Sequence, residues 1–203
     1  MCTPHGASNG IRIPVHAFLV STGVVALAEI GDKSQWLVLA LTARFARPLP
    51  IILGIFSATV ANHSLAGAAG AWLAPLIGPG TIRWILGVTF LSMGVWALLP
   101  ERREKAPAPI PRWGVFGTML VTFFLMEMGD KTQIATMALA ASYGSVYAVV
   151  AGSTLGILLA DVPVVFLGAV AAKELPLRSL RRLAPGIFLV IGVAILLGAR
   201  GGR

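Results

Sequence analysis

Six stretches of this sequence are dominated by apolar residues, and each is long enough to cross a bilayer. They run over about 15–43, 50–77, 81–99, 114–142, 144–172 and 183–199, each near or above the ~20 residues that a crossing helix needs. Over the whole chain 57% of residues are hydrophobic and 12% charged, against roughly 25% charged in a soluble domain. So much apolar surface has no place to hide in a soluble fold of this size, and the bilayer is the expected solvent. In lipid every backbone polar group must be satisfied within the protein, which leaves helices or a closed barrel. The runs are continuous rather than ten-residue alternating segments, which excludes the barrel. The expected class is an all-α polytopic membrane protein.

Pro48 and Pro50 separate the first two runs, and Pro79-Gly80 the next two. Between the third and fourth lies a charged, proline-rich linker, Glu101-Arg102-Arg103-Glu104-Lys105 followed by Pro107, Pro109 and Pro111. It divides the chain into a first three-helix half (15–99), a linker (100–113) and a second three-helix half (114–199). The formal charge of +8 reads as loop charge rather than as a nucleic-acid surface, because basic residues collect in cytoplasmic loops. The loops after runs one, three and five carry ten Lys and Arg: Arg44, Arg47, Arg102, Arg103, Lys105, Arg112, Lys173, Arg178, Arg181 and Arg182. The other side carries Arg12, Arg83, Arg200 and Arg203. Both termini are therefore expected outside and the linker in the cytoplasm. The single cysteine, Cys2, rules out an intrachain disulfide and a thiolate cluster. Residues 1–14 lack a basic segment ahead of a short apolar stretch, so no cleavable signal is expected.

The chain also repeats itself. Glu29-Ile30-Gly31-Asp32-Lys33-Ser34-Gln35 returns as Glu127-Met128-Gly129-Asp130-Lys131-Thr132-Gln133, an offset of 98 positions. The same offset, with no gap, pairs Gly54 with Gly152, Gly70 with Gly168 and Gly94 with Gly192. A register held over three runs points to duplication of a whole half. Three is odd, so the second half must enter the membrane from the opposite side. The expected architecture is six transmembrane helices as two inverted-topology three-helix repeats, with a binding site near the midplane between them. Gly31 and Gly129 each sit between two carboxylates, where a glycine lets a helix break.

Five of the eight acidic residues, Glu29, Asp32, Glu127, Asp130 and Asp161, fall inside the apolar runs. A charge at the bilayer centre costs roughly 2.5–3.5 kcal/mol even on the lenient insertion scale, so such residues mark function unless they form structural salt bridges. Lys33 and Lys131 each lie four positions after their Glu and could pair with it along one helix. Two lysines leave four motif carboxylates with a formal charge of two negative, matching one divalent cation, or two protons in its absence. Glu and Asp at i and i+3 are expected on one helix face, with Ser34 and Gln35, or Thr132 and Gln133, adding hydroxyl and amide oxygens toward a shared centre. Hard oxygen donors suit manganese, calcium or magnesium, whereas zinc and copper draw on Cys or His. Cation binding and protonation of this cluster would exclude one another, the minimum requirement for cation/proton antiport. At the 98 offset His63 aligns with Asp161, and the two are candidates for a proton relay or gate; a one-residue shift would pair Asn62 with Asp161 instead. The tryptophans read as interfacial anchors or core.

Two copies of E-x-G-D-[KR]-[ST], one in each half, resemble the GDT family of cation/proton exchangers found in bacterial, Golgi and chloroplast membranes. The resemblance extends from about residue 15 to 199. It implies exchange of manganese or calcium for protons, with Glu29, Asp32, Glu127 and Asp130 as the cation site and Lys33, Ser34, Lys131 and Thr132 completing the motifs. In a bacterium it implies manganese export across the inner membrane. The cation is then substrate, and no cofactor is implied. Asp161 stands where many relatives are expected to carry a neutral polar residue, often Asn, which leaves charge balance and selectivity open.

Two other readings compete: an exporter of another small solute, and a membrane accessory subunit without transport of its own. An intramembrane enzyme is disfavoured, since neither H-E-x-x-H nor G-x-S-x-G is present. Oligomeric state is not legible.

Overall fold

The computed structural model describes residues 7–98, 113–171 and 177–200, with side chains at 14–98, 113–166 and 184–198. Nearly all of the 100–113 linker, the 172–176 loop and Cys2 lie outside the described residues, as does the packing around Gly168.

Apart from short breaks and turns the described residues are helical, in the order α1 (Ala7–Glu29), α2 (Lys33–Phe45), α3 (Pro48–Ile77), α4 (Pro79–Leu98), α5 (Gly114–Glu127), α6 (Lys131–Tyr143), α7 (Val146–Ala171) and α8 (Leu177–Arg200). The 98-residue offset carries the starts of α2, α3 and α4 onto those of α6, α7 and α8, and the end of α1 onto that of α5. Local chemistry sets several boundaries. Pro48 sits at the first turn of α3, where its missing N–H costs nothing. Gly144 ends α6 in the left-handed conformation, and Ala46 does the same for α2 at φ 50°.

Three helices are long and apolar enough to cross a membrane by themselves: Pro48–Ile77, Pro79–Leu98 and Val146–Phe166. A fourth candidate is the pair Pro14–Glu29 and Lys33–Phe45, bent by 72°. Gly114–Glu127 and Ala184–Gly198 are shorter apolar helices. The first apolar run is thus α1 plus α2, the fourth is α5 plus α6, and the break expected at Gly31 and Gly129 is present in both. Each glycine has φ 78°, a conformation that a side chain disfavours.

The halves are interlocked rather than side by side. α1 packs along α7 and α5 along α3, while α3 meets α7 and α4 meets α8. Repeated glycines make these approaches close. A Cβ on Gly54 would stand 2.7 Å from the Met119 Cβ of α5, and one on Gly152 would run into the Phe18 carbonyl of α1. The α4–α8 contact is reciprocal: Gly94 receives Leu189 and Gly192 receives Leu91, positions again 98 apart. Gly54 and Gly152, and Gly94 and Gly192, are therefore packing residues at contacts between the halves.

Two apolar clusters form the core. One gathers Leu37, Val38 and Leu41 of α2 with Ile51, Ile55 and Phe123; the other gathers Leu139 and Ala140 of α6 with Phe90, Met93 and Phe188. All five tryptophans are exposed, as are Leu65, Leu76, Phe166 and Val190. An apolar exterior with the acidic side chains turned inward is the distribution expected of a protein solvated by lipid.

Candidate functional site at the seam between the halves

Every acidic side chain among the described residues is buried: Glu29, Asp32, Glu127, Asp130 and Asp161 are all at most 3% exposed. The remaining three, Glu101, Glu104 and Glu174, lie outside them.

Each motif forms a helix break of the same construction. Glu29 is the last residue of α1 and Glu127 the last of α5. The chain then turns through the positive-φ glycine, and Asp32 or Asp130 caps the next helix. Asp32 Oδ1 accepts the Lys33 amide at 2.6 Å. The amide oxygens of Gln35 and Gln133 reach back to accept the N–H of Gly31 (2.8 Å) and Gly129 (2.7 Å). This corrects one expectation: Glu and Asp of a motif do not share one helix face, because the helix ends between them. The glutamine oxygens brace the break, each keeping a second lone pair. The broken helix also sets both glutamates at helix C-termini, where the dipole opposes a carboxylate and favours a cation.

The hydroxyls turn to the glutamates. Ser34 donates to Glu29 Oε1, and Thr132 donates to Glu127 Oε2 at 2.9 Å. The lysines do not pair with the glutamate four positions earlier. Instead Lys33 Nζ reaches Asp130 Oδ1 at 3.4 Å and Lys131 pairs with Asp32 Oδ2, so each half supplies the counter-charge for the other half's aspartate. Once the helix is broken, an i,i+4 contact no longer exists and the nearest opposite charge lies across the seam.

The glutamine amides tie each break to the opposite half. Gln35 Nε2 donates to the Ala160 carbonyl at 3.1 Å, and Gln133 Nε2 donates to Asn62 Oδ1. Asn62 and Ala160 are themselves 98 apart, which supports the ungapped register and aligns His63 with Asp161. Those two residues diverge in role. Asp161 lies within electrostatic range of Glu29, Glu127 and Asp32, and neither of its oxygens has a hydrogen-bond partner among the described residues. His63 instead faces Ser153, with Nδ1 2.8 Å from the hydroxyl. The motif residues and Asp161 are thus brought together, and the structure joins His63 to Ser153 instead. Sequence reasoning missed Ser153, a lone serine in an apolar run, and gave Asn62 no contact with a motif.

Among the described residues no group of three or more Asp, Glu, His or Cys side chains converges as a ready-made metal cage. The aspartates face lysines and the glutamates face hydroxyls. What remains chemically open is a buried set of oxygens, among them Glu29 Oε2, Glu127 Oε1 and both Asp161 oxygens, which have no hydrogen-bond partner among the described residues.

A helical membrane protein whose interlocked halves bring a duplicated acidic motif together across a buried seam has the make-up of a secondary cation transporter. The chain belongs to the divalent cation/proton antiporter GDT1 family, which it matches over residues 17–105 and again over residues 115–203. These two segments are also 98 residues apart. The family is one of transporters rather than enzymes. A Vibrio cholerae protein named "Putative manganese exporter" is 44% identical over 176 residues, covering 86% of this chain and 88% of the relative. A GDT1-like protein of Synechocystis is 26% identical over 198 residues, covering 87% of this chain and 95% of the relative. No solved structure matches the chain significantly.

Proposed function

We propose that this protein exports manganese from the cytoplasm across the inner membrane in exchange for protons, with calcium as a second cargo of the same site. The observation that carries the reading is the meeting of both motifs across one buried seam, with their lysines exchanged between halves. Four motif carboxylates and two ammonium groups leave two negative charges, which one divalent cation or two protons would balance. The two glutamates at helix C-termini place negative charge where a cation is favoured by the helix dipole. Their oxygens, with those of Asp32, Asp130, Ser34, Thr132, Gln35 and Gln133, are hard donors of the kind that manganese and calcium take.

In this reading the broken pairs α1–α2 and α5–α6 each count as one crossing, giving six crossings in two inverted halves. Both termini lie outside. Gln35 and Gln133 hold the breaks open, Asp161 adds a fifth carboxylate, and His63 serves as an accessory residue on the second crossing. Manganese is favoured as cargo by the 44% identical relative's name.

The direction is tested in everted inner-membrane vesicles made acidic inside. Proton-driven manganese accumulation in the lumen, abolished when the pH gradient is collapsed, is the expected outcome. Accumulation indifferent to the gradient would remove the proton coupling.

A further inference from the structure

We infer that Lys33 and Lys131 are tethered counter-cations that hold the aspartate half of the site and admit only a cargo carrying two positive charges. The inference rests on the exchanger reading and adds a selectivity mechanism to it.

The exchanged pairs neutralise Asp32 and Asp130. Glu29, Glu127 and Asp161 together leave four open carboxylate oxygens, whereas manganese or calcium takes about six or more oxygen ligands. Completing the shell therefore requires Asp32 and Asp130, and these come free only when the ammonium groups swing away. Each departure strands a buried carboxylate, which is costly unless equal charge takes the ammonium's place. One divalent ion at the vacated aspartates balances, in a single particle, the two negative charges that the four carboxylates and the two ammonium groups, turned aside within the site, leave. A monovalent ion balances one at most and sheds its hydration shell without a compensating gain.

The two lysines differ in their room to move. The Lys33 side chain is 26% exposed. Lys131 lines a small cavity of about 10 Å³ with Leu27, Ala28, Ile30, Gly31, Ala97 and Ala184, room for roughly one water molecule beside the ammonium.

The experiment is equilibrium binding of radioactive Mn2+ to the purified full-length protein, with and without excess Na+. Wild type is compared with Lys33→Gln, Lys131→Gln and the two Lys→Arg variants. The Gln variants should bind Mn2+ about tenfold tighter or more, since a positive charge has left the site, and Na+ should now compete. The Arg variants should resist Na+ as wild type does. Lys33→Gln, at the more exposed pair, keeps the test open should Lys131→Gln fail to fold. Gln variants that bind no tighter and stay indifferent to Na+ would overturn the lysine assignment alone. Folded wild type that binds neither Mn2+ nor Ca2+ would overturn the exchanger reading and this inference with it.

Discussion

Lys33 Nζ stands 3.4 Å from Asp130 Oδ1, and the equivalent Lys131 pairs with Asp32 in the opposite sense. The two pairs differ in surroundings, because the Lys33 side chain is 26% exposed and that of Lys131 only 5%. Breaking a buried pair from one side strands the other charge, a loss of about 3–5 kcal/mol, whereas water relieves a more exposed one. Asp32→Asn is therefore expected to lower thermal stability in detergent more than Asp130→Asn does. Equal shifts would show that the pairs are energetically equivalent.

The helix breaks depend on glycine. Gly31 and Gly129 both hold φ 78°, and a side chain there costs about 1–2 kcal/mol. A Cβ on Gly129 would meet nothing within 4 Å, so the penalty for Gly129→Ala is conformational alone. A melting-temperature drop equivalent to that range is expected, together with slower transport because both capped ends move.

Ala46 offers the converse. It closes α2 at φ 50°, where its equivalent in the second half, Gly144, has φ 65°. Ala46→Gly should raise stability by about 1 kcal/mol, since it removes the left-handed penalty at a helix C-cap. The same denaturation assay checks it.

Motif hydroxyls are the donors to the buried glutamates. Thr132→Val keeps the volume and removes the hydrogen bond to Glu127 Oε2, leaving a buried acceptor unsatisfied at about 1–3 kcal/mol. Lower stability with weakened Mn2+ binding is the expected outcome, read by thermal shift at increasing Mn2+.

Much of this was legible in the sequence because duplication writes itself as a register. The 98-residue offset located both motifs, the glycine breaks and the helix-packing glycines before any coordinates. What stayed hidden was how the breaks redirect side chains. An unbroken helix puts Lys33 beside Glu29; a helix that ends at Glu29 and restarts at Lys33 turns that ammonium to Asp130. The bracing roles of Gln35 and Gln133 depend on the same turn. Nor did the sequence separate His63 from Asp161, since a shared alignment position says nothing of the Ser153 hydroxyl that lies beside one of them.

The central claim is that one site built from both motifs exchanges a divalent cation for protons. It is tested most directly by Mn2+ flux into proteoliposomes under an imposed pH gradient, comparing wild type with Glu29→Gln and Glu127→Gln. The account expects proton-driven flux in wild type and its loss in either single variant, because both halves contribute to the same site. Flux that survives in one variant at the wild-type rate would contradict a shared site, and folded wild type without proton-driven Mn2+ or Ca2+ flux would contradict the exchanger itself.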